Sequence, residues 1–198
     1  MNASPPKLII FAGANGSGKT TAAKYLLTLP HFSVREFVNA DEIARGLSPF
    51  NPDGQALKSG RLMLQRINEL IDSGDNFAFE TTLASRSFLK IIESAKKRGY
   101  LCRLYFFYTD TADININRIK RRVMEGGHHV PDKDVKRRYN RGLQNLVHLY
   151  WNICDTIAVY DISRGGMQDI AFKTRSGKTC PMNLDLWKRI KEKAGKNE

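Results

Sequence analysis

The sequence predicts an α/β fold with a mainly parallel sheet, on three observations. An apolar run, Lys7 to Ala12, enters a glycine-rich turn and then a helical pattern. Segments of strand character alternate with helical ones along the chain. The run "YLCRLYFFY", residues 100–108, is rich in aromatic side chains and reads as a buried central strand.

The elements follow in order. After the first strand and its loop, a helix runs to about Leu29, where Pro30 stops it. "REFVNAD" gives a short second strand ending near Asp41. Asp53 is positioned to cap a long helix to about Asp72, because Leu57, Leu62, Leu64, Ile67, Leu70 and Ile71 recur near helical spacing. "NFAFET" is a third strand, and Ser85 to Arg98 a helix with Gly99 as its stop. A basic helix spans Ala112 to about Glu125, "GGHHVP" breaks it, and a second one restarts with Asp132 or Asp134 as cap. "TIAVYD" is the last core strand. "MQDIAFKTRSGKTCPMN" reads as a hairpin turning at "RSGK", with an amphipathic helix after it.

With 198 residues the chain reads as one domain, 1–198, large enough for a sizeable core, with a lid at about 112–147 and the hairpin and helix at about 164–198. Its 41% hydrophobic and 26% charged content is that of a soluble globular protein. No apolar stretch approaches the ~20 residues of a membrane helix, and the N-terminus lacks a signal-peptide layout. Cys102, Cys154 and Cys180 are scattered and form no CxxC pair, which suggests neither a disulfide framework nor a zinc site and makes the cytoplasm the default. The net charge of +12 fits nucleic acid, small polyanions or an acidic protein partner alike.

Gly13, Gly18, Lys19 and Thr20 satisfy G-x-x-x-x-G-K-[ST] within "GANGSGKTT". Glycines let the backbone approach closely, and the N–H groups of Gly13, Ala14, Asn15, Gly16, Ser17, Gly18, Lys19, Thr20 and Thr21 then form a phosphate cradle at a helix N-terminus. Lys19 reaches the β- and γ-phosphates, and the Thr20 hydroxyl takes Mg²⁺. With an apolar strand before it and a helix after, this is a site for a nucleoside triphosphate. The fold class becomes a three-layer P-loop NTPase.

Two acidic positions bear on what receives the phosphate. Asp41, after the second strand, lies where strand C-termini line the crevice of a parallel sheet, and is placed to act as general base toward a hydroxyl. Its plainer role is the N-cap of the following helix. Glu80 and Thr81 end the third strand on the same side, where Glu80 can join the magnesium shell or hold a substrate hydroxyl; the plainer role is a turn shared with Thr82. Arg86 follows as a contact for an anionic substrate or as a surface residue. Asn39 and Glu42 are weaker candidates. Asp110 reads as a helix start rather than a magnesium ligand, and Asp161 invites the same alternative.

The basic region 118–141 reads as two helices closing over a triphosphate, where arginines stabilise the charge of phosphoryl transfer. Arg118 and Arg122 share one helix face, Arg138 and Arg141 another. The other cations form a solvated face. No aromatic interleaving marks a nucleic-acid stacking platform. His128 and His129 are adjacent, so their side chains diverge and make no metal pair.

"GANGSGKTT", "NADEIA", "FETTL", "GGHHVP" and "RRYNRGLQNL", in that order, resemble the zeta toxin family of P-loop kinases, and more closely its compact bacterial branch. The resemblance covers roughly residues 7–163 and implies a fold like that of nucleotide and small-molecule kinases, with a parallel five-stranded core and a mobile lid. It implies a kinase using ATP and Mg²⁺ on a sugar hydroxyl of UDP-N-acetylglucosamine, and a small antitoxin as partner. It also implies Lys19 and Thr20 in the phosphate loop, Asp41 as catalytic base and Glu80 as an acidic residue near the centre. Arg118 or Arg122 matches the first lid arginine. The best-known toxins carry a second arginine within the lid loop, where this chain has "GGHHVP"; Arg138 or Arg141 on the next helix takes its place, and the catalytic set is Lys19, Asp41, Arg122 and Arg138. The chain has little room for the sugar-nucleotide-binding additions of long members, which leaves the acceptor open.

The leading expectation is therefore an ATP-dependent kinase acting on a small-molecule hydroxyl. A nucleic-acid-directed ATPase and a nucleotide-binding partner with little turnover are the competing classes.

Overall fold

The computed structural model describes residues 4–127 and 129–195. Seven strands form one sheet in the order β2-β3-β1-β4-β5-β6-β7. β1 (Lys7–Ala12) lies between β3 (Phe77–Thr81) and β4 (Leu101–Tyr108), with β2 (Glu36–Val38) outside β3 and β5 (Thr156–Asp161) outside β4, all parallel. β6 (Gln168–Lys173) and β7 (Thr179–Pro181) are the expected hairpin. It adds to β5 antiparallel and so extends the five-stranded core instead of standing apart from it.

β1 is buried on both faces, which is why its sequence is continuously apolar rather than alternating. Leu8, Ile10 and Ala12 face one core, shared with α3 (Ala56–Ser73), α4 (Ser87–Lys97), α6 (Asp132–Asn145) and α8 (Leu184–Gly195). Ile9 and Phe11 face the other, closed by α1 (Lys19–Leu26) and Phe32. α5 (Ala112–Met124) packs Ile116 and Ile119 on Val130 and Val135, which joins it to α6. α6 continues through a π-helical turn, Leu146–Tyr150, into the short α7 (Trp151–Ile153).

Several helix starts differ from expectation. α2 (Ala40–Leu47) is capped by Asn39, whose side chain accepts from the N–H groups of Asp41 and Glu42; Asp41 is thus in the first turn and is not the cap. α6 has Pro131 at its cap position, and Asp132 and Asp134 lie in the first turn, where the helix dipole favours them. Asp53 opens a short 3₁₀ turn, Asp53–Gln55, ahead of α3. Thr111 precedes α5, while the Thr109 hydroxyl donates to Asn115 Oδ1 at 2.8 Å.

The C-terminal half of α6 is tied to the strand ends. The buried Tyr139 hydroxyl donates to the carbonyls of Thr109 (2.7 Å) and Asp110 (3.0 Å), and burial raises its pKa, so it stays a donor. Gly142 lies so close to the end of β3 that a Cβ there would stand 2.8 Å from the Thr82 carbonyl. Asn145 Nδ2 donates to the Leu83 carbonyl at 2.7 Å. Leu83 has φ 61°, a strained backbone costing about 1–3 kcal/mol. The Thr81 hydroxyl, accepting from its N–H at 3.1 Å, together with complete burial of its side chain, holds it there.

Candidate active site

The loop between β1 and α1 is shaped by close approach. A Cβ on Gly13 (φ 143°) would stand 2.5 Å from the Phe107 carbonyl oxygen, and one on Gly16 (φ 77°) 2.6 Å from that of Asn115 in α5. Ala14 closes the turn by accepting from the Ser17 N–H at 3.1 Å, and Lys19 Nζ folds back to the same carbonyl at 2.9 Å. The buried Ser17 hydroxyl has no hydrogen-bond partner among the described residues. Gly16, Gly18, Thr20 and Thr21 line a cavity of about 400 Å³ above α1.

Glu80 is the hub of the site. The register of β3 on β1 sets Glu80 beside Phe11 and Thr81 beside Ala12, directly below the loop. Its Oε2 accepts from the Thr20 hydroxyl at 2.7 Å and from Asn39 Nδ2 at 2.9 Å, and Oε1 is 3.5 Å from Lys19 Nζ. The Lys19 and Glu80 side chains are only 6% and 10% exposed. Buried charges of this kind require pairing, and each answers the other. A hydroxyl and a carboxylate at hydrogen-bond distance are hard oxygen donors of the kind Mg²⁺ takes when it keeps several waters and substrate phosphates, so Thr20 and Glu80 fit the ion. Among the described residues no cluster of three His, Cys, Asp or Glu side chains offers a different metal site.

Asp41 is exposed and lines the phosphate-loop cavity. It also lines a second cavity, about 500 Å³, bounded by α2, α3 and the end of β3. Asn15, Lys19, Asn39, Arg45 and Glu80 also line both cavities, so the two spaces meet at these six residues. Thr81 lines the second cavity.

The lid arginines separate. Arg138 lines the second cavity, and its Nη1 donates to Asn15 Oδ1 of the phosphate loop at 3.0 Å. Arg118 and Arg122 line the loop cavity, but Arg118 Nη2 is committed to the carbonyls of Ile162 (2.6 Å) and Ser163 (3.2 Å). Arg141 is exposed and lines neither space, and the same is true of Arg86 at the start of α4. Several other cations of the region are paired on the surface, including Lys120 with Asp132, Lys136 with Asp113 and Arg137 with Asp134. His129 is exposed, and His128 lies outside the described residues.

Asp110 lines neither cavity. Burial works against its charge, but Lys193, the Tyr108 hydroxyl and Arg189 hold its carboxyl below the usual value and tie α8 to the end of β4. Asp161 Oδ1 accepts from the backbone and hydroxyl of Ser163, which closes a turn.

Sequence reasoning passed over part of the second cavity. Gly60, Arg61, Leu64 and Phe88 line it. A glycine in the interior of α3 was the signal that pointed there.

A protein-family model described as an AAA domain matches residues 8–142. An uncharacterized protein of Haemophilus influenzae is 32% identical over 133 residues, covering 67% of this chain and 92% of its own. Among solved structures, a chain of the AvrRxo1-ORF1:ORF2 complex with ATP superposes with a TM-score of 0.76 at 16% identity over 96% of this chain, which spans 64% of that one. The PezAT chromosomal toxin-antitoxin system of Streptococcus pneumoniae gives 0.59 at 14% identity, covering 98% of this chain and 87% of that one. Shikimate kinase of Acinetobacter baumannii, in complex with shikimate, gives 0.50 at 18% identity, covering 96% of both. The shared fold is the P-loop kinase-like one. Among the described residues no helix is long and apolar enough to cross a membrane.

Proposed function

The chain belongs to the AAA domain family, and from that premise we propose that it is an ATP-dependent phosphotransferase acting on a hydroxyl of a small molecule. The observation carrying this reading is the junction of two cavities at residues that include Lys19, Asn39, Asp41 and Glu80. One cavity has the form of a triphosphate site; the other is large enough for a small acceptor.

In the proposed reaction the acceptor hydroxyl gives its proton to the Asp41 carboxylate, and its oxygen forms a bond to the γ-phosphorus of ATP. The bond from that phosphorus to the bridging oxygen breaks, and ADP leaves. Lys19, which lines both cavities, and Arg138, which lines the second, stabilise charge on the transferring group. Thr20 and Glu80 would hold Mg²⁺, which would neutralise phosphate charge when bound. The α5–α6 segment serves as the lid, and residues 1–198 act as one domain.

A zeta-toxin-like role, with a UDP-activated amino sugar as acceptor and an antitoxin as partner, is the finer form of this reading. The likeness to PezAT supports it at the level of fold. With ATP as donor, the reaction belongs to the cytoplasm. The ion pairs across the surface of α5 and α6 weigh against a nucleic-acid stripe, because those cations already have partners.

The test is incubation with γ-labelled ATP, magnesium and a cytosolic metabolite extract, with UDP-N-acetylglucosamine in parallel. Label is expected in a small molecule and lost in Asp41→Asn, with ATP binding kept. Label found only in free phosphate would sink the kinase reading in favour of an ATPase.

A further inference from the structure

The second cavity has chemistry beyond its reacting groups. α3 turns Ala56, Ser59, Gly60, Met63 and Leu64 toward it, and Phe88 of α4 forms a facing wall, itself stacked on Phe79 at 4.9 Å. Gly60 is half-buried in the second turn of this 18-residue helix, where glycine is a poor helix former. Helix packing does not demand it: a Cβ built at Gly60 meets nothing within 4 Å. The missing side chain leaves open space within the cavity wall.

Beside that space is Arg61, which also lines the cavity. Cations nearby are engaged: Arg45 pairs with Glu42, and Arg66 of the same helix pairs with Glu36 and Glu69. Arg138 is held by Asn15, and Lys19 by Glu80. Arg61 makes no hydrogen bond or ion pair among the described residues. A guanidinium left unpaired at the wall of a cavity with an apolar middle suits a planar, bidentate partner.

We propose that Arg61 is the specificity residue of the acceptor pocket and binds an anionic group, phosphate or carboxylate, carried by the acceptor apart from the hydroxyl that reacts. Gly60 provides the room for that group. This rests on the kinase reading of the same site, and it restricts the acceptor to a hydroxylated acid or phosphate ester instead of a neutral polyol or sugar. It also moves anion recognition from Arg86 to α3.

The experiment uses matched pairs of probes: ribose with ribose 5-phosphate, and glucose with gluconate. Binding is read by ligand-observed NMR with a non-hydrolysable ATP analogue present, and transfer by label from γ-labelled ATP. The wild-type protein is expected to bind the anionic member of at least one pair about tenfold more tightly. Arg61→Ala should erase that preference, Arg61→Lys should restore part of it, and ATP affinity should be unchanged in both. Gly60→Leu should block binding of the anionic probe without affecting ATP. The ester and the acid distinguish phosphate from carboxylate recognition. No preference in the wild type, or one that survives Arg61→Ala, overturns the proposal even if transfer to another acceptor is seen. A preference that depends on Arg61, without any transfer, upholds the anion site and overturns the kinase reading instead.

Discussion

Arg138 of α6 donates a hydrogen bond to Asn15 of the phosphate loop across 3.0 Å and 123 residues of sequence. This contact ties one arginine to the phosphate loop. Arg138→Ala should lower turnover about a hundredfold or more if the guanidinium contacts the transferring group. Asn15→Ala should lower it about tenfold by loosening the arginine, and the double variant should be no worse than Arg138→Ala alone. Steady-state kinetics on the four proteins decide it. Additive losses would mean that Asn15 does not position Arg138.

Glu80 balances the charge of Lys19 in a nearly closed site. Removing it as Glu80→Ala strands a buried ammonium and should cost about 3 kcal/mol, measured by urea unfolding. ATP with magnesium brings phosphate charge to Lys19 and should recover much of that loss. Glu80→Gln should in addition raise the magnesium concentration needed for half-maximal turnover. An unchanged magnesium dependence would limit Glu80 to organising Lys19, Thr20 and Asn39.

Gly16→Ala should destabilise the protein by about 2 kcal/mol or more, since the new methyl collides with the Asn115 carbonyl on top of a left-handed backbone. Gly18→Ala has the same backbone sign (φ 71°) but open space around it, so its cost should be smaller. Equal losses in denaturation experiments would mean that backbone conformation, and not the approach of α5, makes glycine necessary at position 16.

The cysteines should differ in reactivity. Cys102 and Cys154 are buried, and burial pushes the Cys102 thiol up to about 12 and raises that of Cys154 as well. Cys180, in β7, is half-exposed. A chromogenic disulfide reagent at pH 8 should therefore titrate one thiol in the native protein and all three after unfolding. Two fast thiols would show that the region between β4 and β5 opens locally.

The strands and the phosphate loop were legible because glycine spacing and continuous apolar runs are local signals, whereas the order of the strands in the sheet is set by long-range pairing that no local pattern shows. Helix caps were less so. Asn39 stands two positions before Asp41, and which of the two caps depends on backbone angles that composition does not reveal. The same holds for Pro131 against Asp132 and Asp134. Arg86 and Arg61 are equally basic in the sequence, and only the packing of α3 and α4 brings one of them to the cavity and leaves the other outside. The pairing of Asn15 with Arg138 has no local pattern at all. Gly60 was a local anomaly inside a helical pattern that the reading of the sequence did not use.

The anchoring of α6 sets how closure can work. Tyr139, Gly142 and Asn145 fasten its C-terminal half to the ends of β3 and β4, and Arg138 is the residue just before the first of them. Asn115 and Arg118 fasten the root of α5 in the same way. If the α5–α6 segment is the lid of the proposed kinase, motion would be left to the far end of α5 and the first turn of α6, pivoting on a fixed base. Arg138 would then be a stationary landmark: the phosphates would travel to it, while the roof swings above.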